Sequence, residues 1–592
     1  MCLLSPVLAG DANVPALRVT SVMPAGQLDR LNRALMELHP QYDPAERMLR
    51  RPLESPGYHT TLKGGHVHPT RDSLAYAVAL LDTGDAAWLQ RAEDILRRVI
   101  GLQDQNPESK TYGIWPWFLE EPLDKMSPPD WNWADFCGVQ LLQVARDHRQ
   151  RLPPDLQASL EAAIKHAARS IQRRNVGPGY TNIALMGTYV TLLAAELYGL
   201  DDLREYALQR LRNFHAYTLQ NGAFTEYNSP PYTVVALKEL GRMRHHVQNA
   251  EVRPLVEEIY RLAWEEIARH FHPPTRQWAG PHSRCYRTLL PSSTLAMIQL
   301  ATDGRVRFFP GEPPATFDEP RVPVPCPRDL EPFFTRLDGP REFHETFVKG
   351  DPPIVGTTYL APAFAVGSVN RSYLWNQRRA LLAYWGSAEK PSYLHLRFLH
   401  DGYDFAAAQF FSVQRSGDVL AGINFATNGG DTHPSLDKIK DGAIRARDLR
   451  LRLEFGGAAG ERAFTAPTRL SEAAELRFDN LRVHLAVGYA RLGGLQGRWE
   501  AGLDKTNGTA WLDLVLYSGA DRQFRLAELE PAALGLAACF SSGNTPSPRL
   551  AAKVTEGRLH LALDPARLSL SLPVRPGAEA ALQKSFSADS AP

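Results

Sequence analysis

Cysteine is scarce in this 592-residue chain: Cys2, Cys137, Cys285, Cys326 and Cys539 are scattered, odd in number and without a CxxC pair. That argues against a disulfide framework and against a zinc knuckle. Net charge is lacking as well, with 66 basic against 65 acidic residues, so no global basic field points to nucleic acid or acidic lipid. No run approaches the ~20 apolar residues of a membrane span. The N-terminal Met-Cys-Leu-Leu-Ser-Pro-Val-Leu-Ala-Gly-Asp-Ala has a short apolar patch but no basic segment before it, which makes a poor export signal. The expectation is a cytoplasmic protein as the chain is written, or a periplasmic or secreted one if the native start differs. P-loop, GxSxG and HExxH patterns are also missing, so a nucleophilic triad has no anchor.

Aromatic residues, by contrast, are plentiful, with 11 Trp and 20 Tyr. They suit a carbohydrate cleft, where sugar C–H faces stack on rings, and they also suit ordinary cores. From about Gln27 to Ala301 the hydrophobic period is helical. Trp88, Ala92, Ile95 and Val99 mark one face of a helix capped near Asp85, and Ile183, Met186, Val190, Leu193 and Leu197 mark another. Further helices are expected over Leu28–Leu38, Thr70–Leu81, Trp133–Arg146, Asp155–Arg173, Leu203–Thr218, Pro230–Val247, Pro254–His270 and Ser292–Ala301. About ten helices in short-connected hairpins, without strand-like runs between them, indicate an incomplete α/α toroid.

Between Phe309 and Phe333 eight prolines crowd one segment, from Pro310 to Pro332, and read as an extended, semi-rigid linker. Beyond it the period becomes two. Leu449, Leu451, Leu453 and Phe455 alternate with Arg450, Arg452 and Glu454, and Leu559–Leu563 and Leu568–Leu572 alternate likewise. Such strands predict an antiparallel β-sandwich or stacked sheets. The expected organisation is an N-terminal extension (1–25), an α/α toroid (26–308), a linker (309–335), an antiparallel β-sheet domain (336–583) and a frayed tail (584–592).

Four stretches of the helical part could carry chemistry. Asn221–Leu240 runs from a turn into a helix, with Ser229 as N-cap and Pro230 as first helical residue. Around that helix start lie Glu226, Tyr227, Asn228 and Tyr232, which read either as a catalytic rim or as a cap with ordinary tyrosine packing. Trp131 and Trp133 flank Asn132 at a second helix start, as sugar platforms or as hydrophobic staples. Asn182 follows a Gly-Pro-Gly turn, as a cap or as an amide aimed at a ligand. Trp278–Arg287 brings His282, Arg284, Tyr286 and Arg287 into one loop, where Arg284 and Arg287 could hold a carboxylate in bidentate fashion or face solvent. In the β part, His395, His400, Asp401, Asp404, Asp431 and His433 are metal-ligating types in no specific ligand spacing. A loop leaning over the cleft, with His400 touching substrate, is the alternative to a structural divalent metal held by His395, Asp404 and His433.

Taken together, these segments resemble the polysaccharide lyases built from an α/α toroid followed by antiparallel sheets: chondroitin AC-type lyases, toroidal alginate lyases and the heparinase II/III-like group. The likeness in domain order extends over nearly the whole chain. Such enzymes use an Asn at one helix start, a His or Tyr at the next hairpin end, then an Arg and often a Tyr. The resemblance assigns these roles to Asn182, to Tyr232 with Tyr227 as competitor, to Arg284 and to Tyr286. No His lies in the Glu226–Tyr232 segment, where several relatives have one, which suggests tyrosine as both base and acid. The implied reaction is β-elimination on a uronate glycan: removal of the C5 proton, with Asn182 and Arg284 neutralising the carboxylate, and loss of the O4-linked sugar to leave a 4,5-unsaturated end. The implied partner is an acidic poly- or oligosaccharide, bound also by Glu226, Tyr227, Asn228, His282, Arg287, Trp131, Trp133 and His400, with no cofactor required. Two rivals remain at this stage: a toroidal glycoside hydrolase using Glu226 and Asp135 as its carboxyl pair, and a non-catalytic glycan-binding protein.

Overall fold

The computed structural model describes residues 25–53, 59–316, 321–428, 439, 442–543 and 547–590. The expected N-terminal extension, apart from its last residue, lies outside them, as do Asp431 and His433. Helices occupy the N-terminal half and antiparallel sheets the rest. The chain divides into two compact units. One is Met1–Arg174, Leu193–Leu200 and Thr316–Pro320; the other is Asn175–Leu192, Asp201–Ala315 and Arg321–Pro592. The main division thus falls inside the helical half, and not at the proline-rich segment where composition changes.

The first unit contains α1 (Ala25–Leu38), α2 (Thr70–Asp82), α3 (Leu89–Ile100), α4 (Trp133–Asp147) and α5 (Pro154–Arg174). The pairs α2/α3 and α4/α5 form hairpins, and α2 also packs on α4. The apolar stripe of α3 is buried at Ala92, Ile95, Leu96, Val99 and Ile100, as its 3.6-residue period requires. Asp85 caps the short turn that leads into α3, accepting the Ala87 N–H at 2.8 Å.

The second unit holds the first part of α6 (Thr181–Tyr198), then α7 (Asp201–Asn221), α8 (Pro230–His246), α9 (Val252–His270) and α10 (Ser292–Ala301). α6 buries Ile183, Leu185, Met186, Tyr189, Val190 and Leu192, a side-chain set spread round the axis, as in a core helix. Residues 321–334 do not form the expected extended linker. Val322, Val324 and Cys326 are buried between their prolines, Tyr260 donates to Pro325 O at 2.8 Å, and Arg328–Phe334 coil into a 3-10 helix. Proline stops the α-helix here, while the intervening apolar side chains still gain by burial against α8 and α9.

After this segment the strands stack as three antiparallel sheets of nine, seven and four strands among the described residues. In the first, Ala443–Gly457 lies between Pro391–His400 and Thr509–Arg525. Leu394, Leu396, Phe398, Phe410, Ile423, Leu451, Leu485 and Leu536 fill the layer between the nine- and seven-stranded sheets. Leu559, Leu561, Leu570 and Leu572 of the four-stranded sheet meet Leu420, Ala537 and Cys539 on the other face of the middle sheet. The described part of the tail, to residue 590, is not frayed: Ser587–Ser590 pairs with Leu568–Pro573, and Phe586 stacks on Phe411 at 5.0 Å. An edge strand needs backbone partners and no apolar alternation, so its polar sequence conceals it. Two-residue β-ladders also interrupt the helical half, among them Phe271–His272 with Gln277–Trp278.

Candidate active site

The site is assembled at the N-terminus of α8. Ser229 is the N-cap: its Oγ accepts the Tyr232 N–H at 3.3 Å and donates to Arg284 O at 2.8 Å. A single hydroxyl therefore ties the helix start to the 278–287 loop. Asn228 before it has φ +42°, a left-handed conformation that Asn tolerates better than most residues. It is fully buried and its amide is saturated: Nδ2 donates to Ala279 O (2.9 Å) and Pro281 O (2.8 Å), and Oδ1 accepts from Trp278 Nε1 (2.5 Å). Asn228 is thus a clamp between two loops, with no group left for substrate.

Arg284 is the hub. Nη1 donates to Glu226 Oε1 at 2.9 Å, Nη2 to Tyr232 Oη at 2.8 Å and Nε to Gln377 Oε1 at 2.7 Å. Its guanidinium lies between the rings of Tyr232 (4.7 Å) and Trp375 (5.0 Å), contacts worth about 0.5–2 kcal/mol each. With all three nitrogens engaged, Arg284 orients its neighbours and is not the open bidentate clamp that the sequence suggested. Glu226 Oε2 accepts the Thr181 N–H at 3.0 Å, at the start of α6, where the helix end favours an anion. Burial raises the Glu226 carboxyl, against the pull of Arg284 and of the Thr181 N–H.

Tyr232 Oη lies 2.5 Å from Tyr286 Oη, with the two rings edge to face at 6.0 Å. Burial pushes the Tyr232 phenol far above its ordinary value, against the pull of Arg284. Tyr286 is 56% exposed, so it is the solvent side of the pair. Asn182, one residue beyond the N–H that Glu226 holds, is buried, and its Oδ1 has no hydrogen-bond partner. Arg287 is exposed.

Several expected substrate contacts are structural instead. Tyr227 is 2% exposed and its ring stacks on Phe347 at 4.2 Å, inside the core of the stacked sheets. His282 is buried with Nδ1 2.6 Å from Asn228 O and Nε2 3.1 Å from Trp278 O. Burial pushes its imidazole down to about 3, so it is a neutral strut. His400 Nε2 lies 2.7 Å from Arg445 O, on the neighbouring strand. The weak metal candidates are engaged too: Asp404 takes Arg397 through both oxygens (2.9 and 2.6 Å), and buried His395 has Nε2 3.1 Å from Arg378 O. Among the described residues no cluster of His, Cys, Asp or Glu could hold a metal ion, and no helix is long and apolar enough to cross a membrane.

Trp131 and Trp133 belong to the first unit. There Trp133 stacks on Trp117 at 5.0 Å and donates Nε1 to Thr70 Oγ1 at 3.0 Å, while Trp131 Nε1 donates to Lys110 O at 3.1 Å. Asp135 is buried in α4 of the same unit, whereas Glu226 lies in the second.

The residues that sequence reasoning missed come from the β part. The segment 374–380, between the strands Arg371–Tyr373 and Leu381–Gly386, pairs with the Arg284 loop. His282 and Arg379 exchange backbone hydrogen bonds (3.1 and 3.0 Å), and Cys285 N donates to Gln377 O at 2.8 Å. Gln377, Trp375 and Arg378 enter the site this way. Their signal was Tyr373-Leu-Trp-Asn-Gln-Arg-Arg379, a short run rich in planar and cationic groups.

A family model described as a domain of unknown function (DUF8769) matches residues 42–301. No curated protein matches the chain. Among solved structures, heparinase III is similar at 12% identity, covering 96% of this chain and 94% of that one, with a TM-score of 0.47. Chondroitin AC lyase of Streptomyces coelicolor, in complex with chondroitin sulphate, is similar at 12% identity over 95% and 86%, with a TM-score of 0.49. The endoglucanase CelQ from Clostridium thermocellum, complexed with cellotetraose, follows at 10% over 82% and 72%, with a TM-score of 0.24.

Proposed function

We propose that the protein is a polysaccharide lyase that cleaves a uronate-containing glycan by β-elimination. The observation that carries this reading is the Tyr232 phenol, held at 2.8 Å by Arg284 Nη2 and at 2.5 Å by the exposed Tyr286 hydroxyl. A phenol with two hydrogen-bonding neighbours, one cationic and one open to solvent, suits reversible proton transfer. In the forward reaction the Tyr232 phenolate takes the C5 proton. The C5–H electron pair becomes the C4=C5 bond, the C4–O4 bond breaks, and the departing O4 takes the proton from Tyr232. Giving that proton to O4 returns Tyr232 to the phenolate with which the turnover began, so no proton is left over, and the Tyr286 hydroxyl stays beside the phenolate. Arg284 stabilises the phenolate, and Glu226 and Gln377 hold Arg284 in place. The Asn182 amide Nδ2 is the donor assigned to the charge that develops on the carboxylate. This chemistry requires no metal.

The hydrolytic alternative has less support, because the Glu226 carboxylate is already committed to Arg284 and to the Thr181 N–H. The test is Tyr232→Phe, assayed on a panel of uronate polysaccharides for new ultraviolet-absorbing unsaturated ends. The expected result is loss of product with binding retained. Undiminished turnover in the variant would sink the assignment, and cleavage by the wild type without unsaturated ends would sink the reaction class.

A further inference from the structure

A uronate carboxylate must be neutralised before its C5 proton is acidic, and Arg284 already commits one N–H of each of its three nitrogens to Gln377, Glu226 and Tyr232. Another cation stands beside it. We propose that Arg378, from the 374–380 segment, binds the substrate carboxylate; this rests on the elimination reading.

The guanidinium of Arg378 lies over the Tyr373 ring at 4.6 Å, and Nη2 donates to Tyr373 Oη at 2.9 Å. Nε is buried with no hydrogen-bond partner. Arg378 is therefore positioned by the phenols of Tyr373 and Tyr227 and keeps its Nε donor unspent, whereas the Nε of Arg284 is taken by Gln377. Its backbone is fixed: Arg378 N donates to Trp375 O at 2.7 Å, and its carbonyl oxygen meets His395 Nε2 at 3.1 Å.

The charge balance points the same way. Glu226 is the carboxylate that acts on both Arg284 and Arg378. Arg379, next in the chain, donates to neutral acceptors, the Thr288 hydroxyl and the Asn376 and Arg378 carbonyls. The imidazoles of His282 and His395 are held neutral by burial. The cluster thus has more positive than negative charge, and the N-terminus of α6 adds partial positive charge at Thr181. Uncompensated buried charge is costly, and an incoming carboxylate relieves that cost. A planar guanidinium with an unpartnered Nε suits a carboxylate better than an ammonium does.

The experiment uses the Tyr232→Phe background, so that ligand is not consumed. Uronate oligosaccharides and their carboxyl-reduced counterparts are titrated calorimetrically into that protein and into its Arg378→Gln and Arg378→Lys derivatives. Arg378→Gln should weaken binding of the acidic form by about 10–100-fold and leave the reduced form unchanged, while Arg378→Lys recovers part of the loss. An equal loss for both forms would reveal a merely structural residue and overturn the proposal, as would unchanged selectivity or no binding of any acidic oligosaccharide. If the wild type makes no unsaturated product while Arg378→Gln still loses only the acidic ligand, the elimination reading falls and the carboxylate site stands.

Discussion

Tyr232 is pulled in opposite directions by its surroundings. Burial disfavours the phenolate, while the Arg284 guanidinium at 2.8 Å favours it, and burial wins in the resting protein. An elimination that needs the phenolate then draws on a minor species near neutrality, and that species grows as pH rises toward the raised pKa. The sign is fixed: kcat/KM should climb with pH through the alkaline range, up to tenfold per unit. Tyr286 contributes to raising the Tyr232 phenol, so Tyr286→Phe should move the rise to lower pH, read from the kcat/KM profile. A kcat/KM profile that falls with pH, or that Tyr286→Phe leaves in place, would show that Tyr232 serves only as the acid. That Asn182 lies in the first turn of α6 could be read at this scale from the glycine-rich turn before it. The loss of Tyr227 and His282 to the core could not, because a ring's burial depends on strands more than a hundred residues away in sequence, such as Phe347 against Tyr227.

Helices and strands position the site through close backbone contact. A Cβ placed on Gly367 would fall 1.8 Å from Gly280 O and 2.8 Å from Pro281 N, and Thr358 Oγ1 on the adjacent strand donates to Gly280 O at 2.9 Å. The sheet thus presses directly on the loop that presents Arg284. Gly367→Ala should displace that loop, costing about 1–3 kcal/mol of stability and lowering kcat well beyond that loss. Val366 points to the opposite face, into the sheet core, so Val366→Ala should cost stability with kcat kept. Equal kcat in the two variants, each measured alongside denaturant unfolding, would separate the strand from catalysis. The elements themselves were largely legible. α3 and α6 follow from apolar periodicity, and the strand Ala443–Gly457 follows from alternation of leucine with arginine. What periodicity cannot show is pairing. Nothing in Leu374–Ala380 says that it lies against His282–Cys285, and a two-residue ladder such as Phe271–His272 is too short to carry a period.

At the scale of the whole molecule, charge is balanced at 66 basic against 65 acidic residues, so general charge repulsion is small near neutral pH. The dependence of stability on pH then rests on individual buried groups. Burial drives His282 down to about 3 and His272 to about 4, and holds His395 well below its ordinary value. Each takes up a proton on unfolding once pH falls below about 6.5, so each withdraws stability as pH drops through that range. Glu266 acts oppositely. It is buried, accepts from Thr233 Oγ1 at 2.7 Å, and burial lifts its carboxyl to about 7. It is protonated when folded and releases that proton on unfolding between about pH 4.5 and 7, so its contribution is lost as pH rises through that window. Of these four groups, the three histidines withdraw stability on acidification between about pH 4.5 and 6.5 and Glu266 opposes them, so acidification destabilises through this set. Glu266→Gln removes the opposing group, so the same acidification should cost about one proton more, while the variant gains stability above about pH 7. Denaturant midpoints measured across this range for both proteins test the balance. A wild type whose stability is flat from pH 5 to 7 (about the middle of the window), or a Glu266→Gln slope no steeper than its parent's, would mean that these groups are not held as deeply as their surroundings imply.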